Sequence, residues 1–169
     1  MKEQILQNLV LPALKPDHIR PFPFSGKTRI VFEYTTPQFS IYWQVTDHPK
    51  QQLLAIESSG LVTVPPGASG ILILARLNET NAACVGKFTL ADEKRIVYCL
   101  ELPYTAETTQ AMVQHALNLA FDTVVTQYEG LRKAAKASSV SEGEFDKRLF
   151  DRIKEAFGEQ KTSERRVTV

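Results

Sequence analysis

The side chains with chemistry to offer in this 169-residue chain are few and scattered. His18, His48 and His115 have the residue type for general acid–base work or metal ligation. None has a second histidine four residues on, a Glu-x-x-His partner or a cysteine at ligand spacing. Cys84 and Cys99 form no C-x-x-C unit and read as small hydrophobes, one at a helix end and one within a strand. Cys99 with His115 is the thiol–base combination that nucleophilic catalysis would use, but no local signature accompanies it. Ser58-Ser59-Gly60 and Ser69-Gly70 do not make a G-x-S-x-G elbow, and Gly67 and Gly70 lack the lysine and spacing of a phosphate-binding loop. Asp92-Glu93 is a carboxylate pair beside Lys94 and Arg95, which reads as a solvated turn. These residues predict no enzyme, no metal site and no cofactor.

The elements that must position these residues follow from hydrophobic periodicity. Residues 3–14 place Ile5, Leu6, Leu9, Val10 and Ala13 on one helical face stopped by Pro16, with Pro12 kinking or ending it early. His18 to Gly26, with Pro21 and Pro23, reads as an extended connector. Arg29 to Tyr34 and Leu53 to Glu57 are strand-like. Between them Phe39, Ile41, Trp43 and Val45 alternate with Ser40, Tyr42, Gln44 and Thr46, the cleanest period-two pattern in the chain. The turns Thr36-Pro37-Gln38 and Asp47-His48-Pro49-Lys50 make these strands an antiparallel meander. Leu61 to Val64 extends this region before Pro65-Pro66-Gly67 breaks it. Residues 68–83 have helical spacing, with Ser69 as the N-cap. Lys87 to Leu90 and Arg95 to Leu102 flank a polar tip, Ala91 to Lys94. After Pro103, Thr105 is the expected cap of a long helix with Glu107 in its first turn. Val113, Leu117, Phe121, Val124, Tyr128 and Leu131 form its apolar stripe, widened by Met112. The predicted class is α+β, in the order α-βββ-α-ββ-α, with helices packed on an antiparallel sheet.

Charge divides the chain. The net charge of +1 offers no overall pull toward nucleic acid. Residues 1–131 hold 10 Lys/Arg and 12 Asp/Glu, whereas residues 132–169 hold 10 and 7. The stretch 134–143 is poor in large apolar residues, so the expected division is an α+β domain over 1–136 and a charged appendage over 137–169. Within the appendage, Phe145, Leu149, Ile153 and Phe157 recur every four residues, with Phe150 beside them. This predicts an amphipathic helix that docks on its own domain, across a dimer or on a partner. Its Lys147, Arg148, Arg152 and Lys154 interleave with acidic residues, a pattern for ion pairing rather than nucleic-acid binding. No apolar run reaches the 18 or so residues of a membrane span, and no leader pattern is present, so the expectation is a cytoplasmic protein with no membrane partner. The sheet face bearing Trp43 is either core or, if exposed, an aromatic platform beside Tyr42 for a guest peptide. The candidate partner-binding residues are therefore Tyr42, Trp43, Phe145, Leu149, Ile153 and Phe157.

The run Arg76-Leu77-Asn78-Glu79-Thr80-Asn81, then Gly86-Lys87-Phe88-Thr89-Leu90, a short hairpin, Leu102-Pro103 and a last amphipathic helix resembles the YbjN-like family, described as bacterial sensory transduction regulators. The resemblance covers roughly residues 28–131, and the element order is similar to that of type III secretion chaperones. It implies a dimeric fold built to hold an extended polypeptide. Gly86 and the two asparagines read as local fold-maintaining residues, one permitting an unusual backbone angle and the others bonding free main-chain groups. The function expected is a protein-binding module with a chaperone-like or regulatory role, as a homodimer. The alternative is an enzyme or small-ligand protein whose pocket combines residues distant in sequence.

Overall fold

Strict alternation along Phe39–Thr46 becomes the centre of one antiparallel sheet. The computed structural model describes residues 5–14, 19–22, 28–37, 39–92 and 94–138. The chain opens with α1, a π-helical stretch Leu6–Val10 running into one α-helical turn, Leu11–Ala13. Pro12 explains the widened turn. It has no N–H to donate, and its ring crowds the carbonyl four residues back, so the backbone bonds one residue further, Leu11 N–H to Leu6 C=O. There follow β1 (Ile19–Pro21), β2 (Arg29–Thr35), β3 (Ser40–His48), β4 (Leu53–Ser58) and β5 (Val62–Thr63). Next come α2 (Gly70–Ala82), β6 (Lys87–Ala91), β7 (Arg95–Pro103) and α3 (Gln110–Ala137).

The fold is α+β, as the periodicity predicts, with all strand pairs antiparallel. The strands lie in the order β1-β2-β3-β4-β7. Cys99 of β7 faces both Glu57 of β4 and Lys87 of β6, and Ile96 faces both Val62 of β5 and Leu90 of β6. Thus β4 and β5 share one side of β7, and β6 forms the outer edge. Strand β1 is an addition to the expected order. Its backbone pairs Ile19 with Tyr34 and Pro21 with Phe32 in the segment read as a connector. Proline is tolerated there because an edge strand need not donate every N–H.

Each strand turns one face toward the helices. Ile30, Phe32, Ile41, Val45, Leu54 and Ile56 join Leu77 of α2 and Val113, Leu117, Phe121 and Val124 of α3 in a single core. Burial of one such side chain is worth about 1.5–3 kcal/mol, so this face supplies the dominant stabilisation. Trp43 lies at its centre, 0% exposed, with edge-on contacts to Phe121 (5.0 Å) and Tyr98 (6.1 Å). It is therefore a core residue and presents no surface to a partner, which decides between its two readings. Its indole N–H meets no acceptor among the described residues, a cost of about 1–3 kcal/mol that burial of the whole ring offsets.

Helix α2 starts where expected, with the Ser69 hydroxyl accepting from Leu72 N–H. Helix α3 starts later than expected, at Gln110 under a Thr109 cap that accepts from Met112 N–H. Thr105 and Thr108 instead build their own turn: Thr105 N–H donates to Thr108 Oγ1 (2.9 Å) and Glu107 N–H donates to Thr105 Oγ1 (3.2 Å). At its other end α3 passes residue 136 and runs to Ala137. Ser138 is buried and accepts from Ser69 N–H through its carbonyl at 2.8 Å, so the packed body includes residue 138. The predicted helix over 144–157 lies outside the described residues.

Candidate functional site

The chemistry-bearing side chains are dispersed by the fold. Cys99 follows the core residue Tyr98 and so projects to the sheet face away from the helices, across from Glu57 and Lys87. Burial pushes its thiol up to about 11, Glu57 and Glu101 push the same way, and Lys87 opposes them. A thiol held that high is almost wholly protonated at neutral pH. His115 is exposed on α3, on the helical side of the sheet. The sheet thus stands between the two residues of the only thiol–base combination that the sequence suggested, and they form no nucleophilic pair. Cys84 sits past the end of α2, with its thiol also raised by burial. Ser58 Oγ accepts from Tyr98 N–H (2.8 Å), which makes it a sheet-closing residue. Asp92 adopts φ +52° at the β6–β7 turn and pairs with Arg95 at 2.6 Å. His48 ends β3. His18, Glu93, Phe145, Leu149, Ile153 and Phe157 lie outside the described residues. Among the described residues, no group of three or more His, Cys, Asp or Glu could hold a metal ion, and no helix is long and apolar enough to cross a membrane.

Tyr42, on the face opposite Trp43, is 49% exposed and packs against Phe22 with ring centroids 5.8 Å apart. This pair is an exposed aromatic patch. A cleft forms at the far side of the sheet, and its construction begins at the end of α2. The Asn81 side chain clasps β6, donating from Nδ2 to Phe88 C=O (2.9 Å) and accepting Phe88 N–H at Oδ1 (2.7 Å). The carboxamide thereby imitates a neighbouring strand. Between this clasp and the helix, Gly86 turns the chain at φ +78°. A β-carbon on Gly86 would fall 2.4 Å from the Tyr98 hydroxyl and 2.8 Å from the Cys99 carbonyl oxygen. Only glycine fits this approach, and the Tyr98 hydroxyl closes it by donating to Val85 C=O at 2.6 Å.

Because the chain turns away at Gly86, β6 begins opposite Cys99 while β7 continues to Pro103. Tyr98 N–H and Ile96 C=O point to the β4/β5 side, where they bond Ser58 and Leu61. Backbone direction alternates along a strand, so Glu101 turns its N–H and C=O to the other side, past the end of β6, where no described strand pairs with it. Beside this free edge lies a groove of about 530 Å³ between β7 and the first turns of α3, lined by Val85, Leu100, Leu102, Met112, His115 and Leu119 among others. Its walls are almost wholly apolar, and Met112 is 50% exposed. The sequence showed Met112 as a widening of the α3 stripe, but the groove depends on residues brought together from three elements.

No protein-family model and no curated protein matches this chain.

Proposed function

We propose that the chain is a non-enzymatic protein-binding module that holds an extended segment of a partner along the free edge of β7. The observation that carries this reading is the juxtaposition of a strand edge at Glu101, which no described strand pairs with, and an apolar groove on the same side. A guest strand would pair its backbone with Glu101 N–H and C=O. Its alternate side chains would enter the space between Leu100, Leu102 and Met112, so that main-chain bonds give affinity and the groove gives selectivity. The likeness of residues 28–131 to the YbjN-like family, and of the element order to secretion chaperones, supports a chaperone-like or regulatory role in the cytoplasm as a homodimer. Light scattering after gel filtration tests the dimer: a 19.0 kDa species at micromolar concentration refutes it.

The binding mode is tested by selecting peptides from a displayed random library and titrating the best with wild-type protein and with Met112→Lys. Loss of at least about tenfold in affinity, roughly 1.4 kcal/mol, is expected for the variant. Equal affinity would refute the groove as the site. A second reading, an apolar small molecule, rests on the groove volume, which falls in the range of ligand pockets, about 300–1,000 Å³. A stoichiometric small-molecule adduct in native mass spectrometry, with no peptide selected, would favour it.

A further inference from the structure

We infer that the apolar stripe of residues 145–157 covers the exposed N-terminal half of α2 within the same chain. Helix α2 opens with Gly70-Ile71-Leu72-Ile73-Leu74-Ala75, which is apolar on every side, yet only Ile73 of these is buried. Ile71 is 67% exposed and Leu74 49%, with Leu72 between them also exposed. Helices apolar all round are normally enclosed, and adjacent large side chains left open mark a contact surface. Further along, α2 is ordinarily amphipathic: Leu77 and Thr80 are buried, and Arg76 pairs with Glu79 in solvent. The open patch is thus confined to its first two turns.

The place where the chain leaves the packed body identifies the occupant. Ser138, buried and fixed by its Oγ–H bond to Ala135 C=O, accepts from the N–H of Ser69, the N-cap of α2. The chain therefore departs at the foot of the exposed patch. Residues 139–144 span at most about 20 Å when extended, whereas Leu74 lies only about 7.5 Å along the helix axis from Ser69. The next residues are Phe145, Leu149, Phe150, Ile153 and Phe157, a stripe of large apolar side chains with charge on the opposite face. Tethering through so short a link favours this contact over any partner met by diffusion. The groove lies near His115, about 35 Å away along α3, so this inference stands whether or not the groove binds peptide.

Hydrogen exchange on the full-length chain tests it. Replacing Phe145, Leu149, Ile153 and Phe157 together by Ser should speed exchange of the amides of residues 74–77 by at least about tenfold. The reciprocal variant Ile71→Asp with Leu74→Asp, both at exposed positions, should speed exchange across 145–157 by a similar factor. Unchanged exchange in either variant overturns the inference. So does α2 protection that disappears on dilution, which would assign the patch to a second copy. In a Cys84→Ser, Cys99→Ser background, Ile71→Cys with Leu149→Cys should oxidise to a disulfide within one chain. A linked dimer, or no link, would count against it.

Discussion

The two halves of β7 are both flanked on one side, by β5 and then β4, and have different fates on the other. From Ile96 to Cys99 the strand is enclosed, with β4 and β5 on one flank and β6 on the other. From Leu100 to Pro103, β4 alone among the described strands accompanies it. The difference does not arise from β7, which runs as one continuous strand from Arg95 to Pro103. It arises from Gly86, which turns the incoming chain just before it could pair further, and from Asn81, which fixes where β6 begins. Two residues outside the strand therefore set the extent of its free edge, and with it the candidate binding groove.

The largest break in this contrast is expected from Gly86→Ala. The new β-carbon meets a backbone oxygen and a buried tyrosine hydroxyl at a left-handed φ, and the expected loss is about 3 kcal/mol or more in urea unfolding. A near-wild-type midpoint would mean that the turn relaxes freely. Asn81→Ala comes next. It leaves Phe88 N–H and C=O without their clasp, and about 1–3 kcal/mol is expected, with faster exchange confined to β6. Tyrosine hydroxyls tie both halves, Tyr98 to Val85 C=O and Tyr104 to Asp47 Oδ1 (2.8 Å). Replacing either by Phe should cost about 1 kcal/mol.

Burial raises both phenols from about 10 to about 12, and Asp47 adds to the shift at Tyr104. The unfolded chain therefore releases these protons first. Their contribution to stability is complete below pH 10 and falls as pH rises from 10 through 12. The Tyr98→Phe, Tyr104→Phe double variant should lose less of its stability over that interval, as followed by circular dichroism. The smallest effect on folding is expected of Met112→Lys, within about 0.5 kcal/mol because the side chain is half exposed and lies outside the buried core. That variant sharpens the contrast, since it alters the open half alone.

The core of the fold was legible because it is recorded locally. The alternation around Trp43, the Ser69 cap and the stripe of α3 each reside in one contiguous stretch, and each appears as expected. Strand β1 was hidden because it is a three-residue edge strand, too short to show apolar alternation, and its edge position tolerates Pro21. The start of α3 was misplaced because three threonines follow Pro103 within six residues, and side-chain bonding among Thr105 and Thr108 decides which one caps. Asn81 and Gly86 were singled out as fold-maintaining, but their effect on the strand opposite was not visible. The groove was unreadable for the same reason. Val85, Leu100 and Met112 are ordinary residues until the turn at Gly86 leaves an edge beside them. Separation of Cys99 from His115 likewise depends on the register parity of β7 and on the sheet face that α3 covers.

The interior position of β7 also bears on the order in which the molecule can be made. Strand β4 takes its second partner, and β5 and β6 their one described partner, from residues 95–103, so β5 and β6 stay apart from the β1–β4 piece while the first 90 or so residues leave the ribosome. The meander β2-β3-β4 can zip up early from local hairpins, but its last strand then offers an apolar, unpaired border until β7 arrives. Closure joins residues more than 40 apart, so it should be the slow step of folding and the stage most prone to misassociation.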